Sequence, residues 1–196
     1  MHMKNNLLHH STRSSWNDLS WEKAAEIQIN KIFELRIEDF EHLDDLAQMR
    51  KYLDVMISEL QEAPPGKIAM NFIELGRIAR VLGKNSGFLN SEYFLEPENL
   101  LSVIIRKQRD YGHENIARFG RTGLLVRLHD KVARLENLLG SGSTPNNESI
   151  EDNIGDVIGY CTIGAMWEEG TFLRALQGNT VVESAYVVEN IEKLSM

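Results

Sequence analysis

The sequence predicts an all-α protein, a helical bundle, on three observations. Only four of the 196 residues are proline, and two of those are adjacent at Pro64-Pro65. Alternation of β-branched with polar residues is nearly absent, so the period of a half-buried strand is missing. Apolar residues instead recur at steps of three and four over long stretches, the spacing of helices with one buried face.

Each element follows from local signals. Asp18 or Ser20 is placed to cap a first helix running to about Arg36, with Ala24, Ile27, Ile32 and Leu35 near one face. A second, from about Asp39 to Leu60, carries Leu43, Leu46, Met49, Leu53, Met56 and Leu60, and Pro64-Pro65-Gly66 stops it. The third covers about Lys67 to Leu82 and ends on Gly83 as a C-cap. The stretch 83–97, with Phe88, Tyr93 and Phe94, reads as a loop and marks a boundary between an N-terminal helical extension, residues 1–95, and a second unit, residues 96–196. In that unit Pro97 opens a fourth helix to about Arg109, a fifth spans about Phe119 to Leu139, and Gly140 to Asn147 forms a loop. A sixth helix runs from near Glu148 to about Glu168, and a helical tail follows Gly178-Asn179.

The net charge of −8 argues against a nucleic-acid polymer as partner, because displacing counterions from phosphate requires clustered Lys and Arg. It suits metals or small ligands better. Charged residues at 26% and hydrophobic residues at 42% are ordinary for a globular chain. The single cysteine, Cys161, lies in an apolar helical pattern and reads as a buried reduced thiol, which fits the cytoplasm. No apolar run is long enough to span a bilayer, and Met1 to Arg13 lacks the apolar centre of a signal peptide, so no membrane partner is expected.

Chemistry concentrates on the sixth helix. Glu148, Asp152 and Asp156 recur at i, i+4 and i+8, within an arc of roughly 80°, and Glu151 flanks them. Like charges four apart are mildly unfavourable, so a compensating cation is expected; a hard divalent ion meeting phosphate oxygens suits converging carboxylates. Acids at a helix start also meet the macrodipole favourably, which accounts for Glu148 and Glu151 without a metal but less well for Asp156, more than two turns in. Gly155 and Gly159 share the acidic side and leave room for a close approach. On the fifth helix Arg127, Asp130, Lys131 and Arg134 lie off the apolar face. They form either intrahelical ion pairs, or a set in which Asp130 is a further metal ligand and Lys131 and Arg134 contact phosphate. The polar segment Lys107 to Asn115, containing Arg109 and Tyr111, is either a nucleotide contact or a turn with Gly112 as helix stop. His129-Asp130 with His113 poorly matches the ligand spacing of His-Asp phosphohydrolases.

The run Gly123 to Leu135, containing His129-Asp130-Lys131-Val132-Ala133-Arg134, then a loop, then Glu148-Ser149-Ile150-Glu151-Asp152-Asn153-Ile154-Gly155-Asp156, resembles the MazG-like all-α nucleotide pyrophosphohydrolases. The nearest branch is similar to the nucleotide-modification-associated domain of phages and bacteria, in which Asp-Tyr-Gly precedes the Asp-Lys helix as Asp110-Tyr111-Gly112 does here. The resemblance covers about residues 97–170 and implies a four-helix MazG-like core. It implies Mg2+-dependent cleavage, with Mn2+ as substitute, of a (deoxy)nucleoside triphosphate to monophosphate and pyrophosphate. It further implies catalysis by Asp130, Asp152 and Asp156, metal binding by these with Glu148 and Glu151, and substrate contacts from Lys107, Arg109, Tyr111, Asn115, Lys131 and Arg134. A homodimer or homotetramer is implied too. The commonest family pattern has several glutamates on the first site helix, where this chain has His129, Asp130 and Ala133. A catalytically inactive helical oligomer that binds a nucleotide or a protein is the alternative.

Overall fold

A computed structural model describes residues 19–34, 45–60, 62–64, 66–85, 96–142 and 147–177. Among them are seven helices and no strand: α1 (Trp21–Phe33), α2 (Asp45–Ser58), α3 (Ala69–Asn85), α4 (Pro97–Tyr111), α5 (Glu114–Ala117), α6 (Gly120–Ser141) and α7 (Ile150–Glu168). The all-α helical bundle is therefore the observed class. The expected loop aromatics Phe88, Tyr93 and Phe94, the start of the second helix and the tail helix lie outside the described residues.

Ser20 caps α1, its side chain accepting from the Lys23 amide, while Asp18 and Leu35 lie outside the described residues. The buried face is Trp21, Ala24, Ala25, Gln28, Ile29 and Ile32. Ile27, expected on that face, is only half-buried, because the stripe turns through positions 21, 25, 28 and 32 instead. Gly83 is not a C-cap: it is buried within α3, which continues to Asn85. Pro97 opens α4 as expected, and the helix runs two residues past Arg109 to Tyr111 before Gly112, at φ 68°, ends it. The one-turn α5 had no signal that separated it from the surrounding turn. Helix α6 absorbs Gly140 and Ser141, expected in the loop, and closes on Gly142 in the left-handed region at φ 63°.

Helix α7 is the hub, packing most extensively on α3 and α6 and also against α1 and α4. Most of its apolar residues are enclosed by neighbours: Ile150, Ile154, Val157, Ile158, Cys161, Ala165 and Met166 are buried. Small residues let α3 and α7 close up. A Cβ on Gly164 would collide with the Phe72 ring, and one on Gly76 would lie 3.2 Å from the Cys161 Cβ. One hydrophobic cluster joins residues of α1, α2 and α3 to those of α4, α6 and α7. Beneath α7, Glu168 receives a two-pronged ion pair from Arg121 Nε and Nη2, each at 2.7 Å, and accepts the Gly66 amide at 3.0 Å. Arg121 Nη1 also donates to the Ala63 carbonyl at 2.9 Å, so this pair fixes the turn between α2 and α3. Among the described residues no helix is long and apolar enough to cross a membrane.

Candidate functional site

Helices α4 and α6 both run antiparallel to α7 and leave between them a cleft of about 460 Å³. Register is fixed by paired levels: Ile104 faces Gly159, Lys107 and Lys131 meet Asp156, and Arg127 meets Tyr160. Two stripes of α4 line the cleft, Leu100, Ile104 and Gln108 on the inside and Val103, Lys107 and Tyr111 at the edge.

Asp156 lines the cleft and meets a lysine from each of the other two helices. Lys107 Nζ donates to Oδ1 at 2.6 Å, and Lys131 Nζ lies 2.9 Å from Oδ2. Burial would raise the Asp156 pKa, but the hydrogen bonds and charges of the two lysines outweigh it and hold the carboxyl below its usual range. Burial would likewise lower Lys107 and Lys131; their acidic partners overcome it and both are raised. At neutral pH the cleft thus contains a fixed carboxylate between two fixed ammonium groups. Lys131 continues to Glu148 Oε2 at 2.8 Å, and Arg134 donates to the same oxygen at 3.3 Å and to the Glu148 carbonyl at 2.9 Å.

Asp152 lines the cleft while forming a capping box with Ser149: its Oδ2 accepts the Ser149 amide at 3.1 Å, and its own amide donates to Ser149 Oγ at 3.0 Å. Gly155 and Gly159 line the same wall, and a Cβ on Gly159 would meet the Ile104 side chain at 3.6 Å.

The structure brings Lys107, Tyr111, Asn115, Lys131, Glu148, Asp152 and Asp156 to one cleft. It places four others elsewhere, among them Arg134, which lies outside the lining and touches it only through Glu148. Arg109 pairs with Glu22 of α1 at 3.5 Å, Glu151 is half-buried outside the lining, and Asp130 is exposed. Asp130 also takes neither expected intrahelical partner, because Arg127 turns to Asn115 and Tyr160, and Arg134 to Glu148. One step of about 100° separates Asp130 from Lys131, enough to turn it away from α7. The histidines are engaged elsewhere as well. His129 Nδ1 lies 3.0 Å from Arg50, and His113 Nε2 lies 2.9 Å from the Arg174 carbonyl.

Three contributions had weaker signals. Arg127, one turn before Lys131, donates to Asn115 Oδ1 at 2.8 Å and faces the Tyr160 ring, its Cζ 5.8 Å from the centroid. His113 anchors the segment that carries Asn115, packing edge-on against Phe172 at 5.4 Å; burial pushes its pKa down and keeps it neutral. Gln108 is buried, and its Nε2 has no hydrogen-bond partner.

Among the described residues no three of the His, Cys, Asp and Glu side chains form a group that could hold a metal ion. In kind, however, the α7 wall offers oxygen donors only, the chemistry of magnesium or manganese. No protein-family model, no curated protein and no solved structure matches the chain.

Proposed function

We propose that the protein hydrolyses a (deoxy)nucleoside triphosphate, presented as its magnesium or manganese complex, to the monophosphate and pyrophosphate in the cleft among α4, α6 and α7. The observation that carries this reading is the grip of Lys107 and Lys131 on Asp156. A carboxylate and two ammonium groups, contributed by three helices to one cleft wall, are the charges needed to seat a polyphosphate and orient a water beside it.

Each lysine has three donors, so it can reach phosphate oxygens while still touching Asp156. The ion is read as part of the substrate, since the carboxylates nearest it, Asp156, Glu148 and Asp152, already have protein partners and leave phosphate oxygens and water to complete its shell. Such an ion neutralises phosphate charge and lowers the pKa of a bound water. Asp156, ionised at neutral pH, accepts the proton of the attacking water and aligns it with the α–β linkage. Lys107 and Lys131 offset the charge that develops on the leaving pyrophosphate. Asp130, Glu151 and Arg109 have no part in this scheme.

A second reading has one observation in its favour: both oxygens of Asp156 are already taken by ammonium groups, as in a cleft that binds nucleotide without turning it over, within an inactive oligomer. Purified protein, magnesium and a panel of ribo- and deoxyribonucleoside triphosphates separate the two. Release of pyrophosphate and monophosphate from at least one of them, abolished by Asp156→Asn, supports hydrolysis. Binding without turnover supports the second reading, and absence of binding removes both.

A further inference from the structure

Gln108 breaks the pattern of its own helix. The buried face of α4 is Leu100, Ile104 and Gln108, at i, i+4 and i+8, where a third aliphatic residue would complete the stripe. The position instead holds a carboxamide only 4% exposed, whose Nε2 meets no acceptor. An amide donor left unpaired in an apolar wall is unfavourable, and buried polar groups are nearly always satisfied. Leucine or methionine would fill the same space without that cost. The residue also lines the cleft, one helical turn from Ile104 and beside the level of Lys107.

The charged groups gather around Asp156, whereas Leu100, Val103, Ile104 and Ile163 form an apolar stretch of the same cleft. If the polyphosphate lies at the charged part, as the reading above requires and on which this inference rests, the planar base is left to the apolar part. The geometry points to Gln108 as the residue that reads the nucleobase. Its amide donates through Nε2 to a ring nitrogen or carbonyl on the base edge, and accepts through Oε1 from a neighbouring amino or imino group. Carboxamides pair with bases through this adjacent donor and acceptor. The Nε2 donor is itself buried, so it acquires that partner by rotation of the carboxamide about its last bond as the nucleotide binds.

The test compares wild-type protein with Gln108→Leu and Gln108→Met, two variants of similar volume, by calorimetric titration with each common nucleoside triphosphate and with inorganic tripolyphosphate as a base-free probe. Nucleotide affinity is expected to fall about ten-fold for the preferred base, and the ranking among bases to flatten. Tripolyphosphate affinity is expected to stay within about two-fold, because its contacts are ionic. The urea midpoint is expected to hold or rise, since an unpaired buried donor has been removed. Unchanged base ranking in both variants overturns the inference, as does a parallel loss of tripolyphosphate and nucleotide binding. A wild-type protein that binds neither probe overturns the nucleotide reading itself, an outcome distinct from both.

Discussion

Lys107 Nζ lies 2.6 Å from Asp156 Oδ1 and thereby joins α4 to α7 across the mouth of the cleft. The lysine side chain is 54% exposed and the aspartate 16%, so the pair is anchored by its acid and open at its base. Lys107→Met is expected to lower stability by less than about 1 kcal/mol, as for other solvent-screened pairs. Triphosphate affinity, read by titration at low and high salt, is expected to drop at least ten-fold at low salt and less at high salt.

Acid lowers stability through His113 and Asp156, alongside Glu136, whose carboxyl is held low by its hydrogen bond from Arg50. The His113 pKa is lowered by burial from an ordinary 6.5, so the stabilisation of its neutral form is present above pH 6.5 and is lost as pH falls towards the folded value. The Asp156 pKa lies below an ordinary 3.8; its contribution is complete above pH 3.8 and disappears as pH falls through the folded value. Urea denaturation between pH 3 and 8 checks this: His113→Phe removes the loss below pH 6.5, and the gap between wild type and Asp156→Asn begins to narrow as pH falls below 3.8.

At the alkaline end the sign reverses. Lys107 and Lys131 are raised above 10.5, so their contribution is present below pH 10.5 and is lost as pH rises through the higher folded values. Lys131→Met is expected to flatten that limb more than Lys107→Met, because Lys131 contacts two acids and its side chain is 14% exposed.

Glu168 is 1% exposed and held by both prongs of Arg121. Arg121→Met leaves a buried carboxylate without its cation and frees the turn at Ala63. A loss of about 3–5 kcal/mol in urea denaturation is expected. Neither Arg121 nor Glu168 lines the cleft, so nucleotide affinity at a temperature where the variant remains folded is expected to be unchanged.

Gly164→Ala presses a methyl into the Phe72 ring. Better helix propensity contributes about 1 kcal/mol, while overpacking costs about 1–3 kcal/mol, so net destabilisation is expected. The double variant Gly164→Ala/Phe72→Leu is expected to recover part of it, as measured by a double-mutant cycle.

Legibility in the sequence followed the range of the interaction. Spacing within one helix put Asp152, Gly155, Asp156 and Gly159 on one face, and they share the cleft wall; Glu148, expected in the same helix, lines the cleft from just before its N-cap Ser149. The stop at Gly112 and the N-cap at Ser20 were equally local. Asp130 shows that residue type fixes no direction: adjacent to Lys131 in sequence, it is exposed while the lysine lines the cleft. Arg109 was read as a phosphate contact although its partner, Glu22, belongs to a helix far away in the chain. Gly83 has the residue type of a stop, yet it is buried and the helix continues through it to Asn85. Gln108 was visible only as one polar residue among several, because an unsatisfied donor is defined by its surroundings.

The hub α7 is made late. When α3 leaves the ribosome, Ile32, Phe72 and Ile73 have only one another and α2 to rest against, and the helix that covers them follows after residue 149. At ordinary synthesis rates that interval is on the order of ten seconds, long compared with the formation of any single helix. A nascent chain arrested before α7 will therefore expose apolar surface and associate with chaperones, whereas the released chain, with the Ala175 carbonyl accepting from the Trp21 amide, closes the described core.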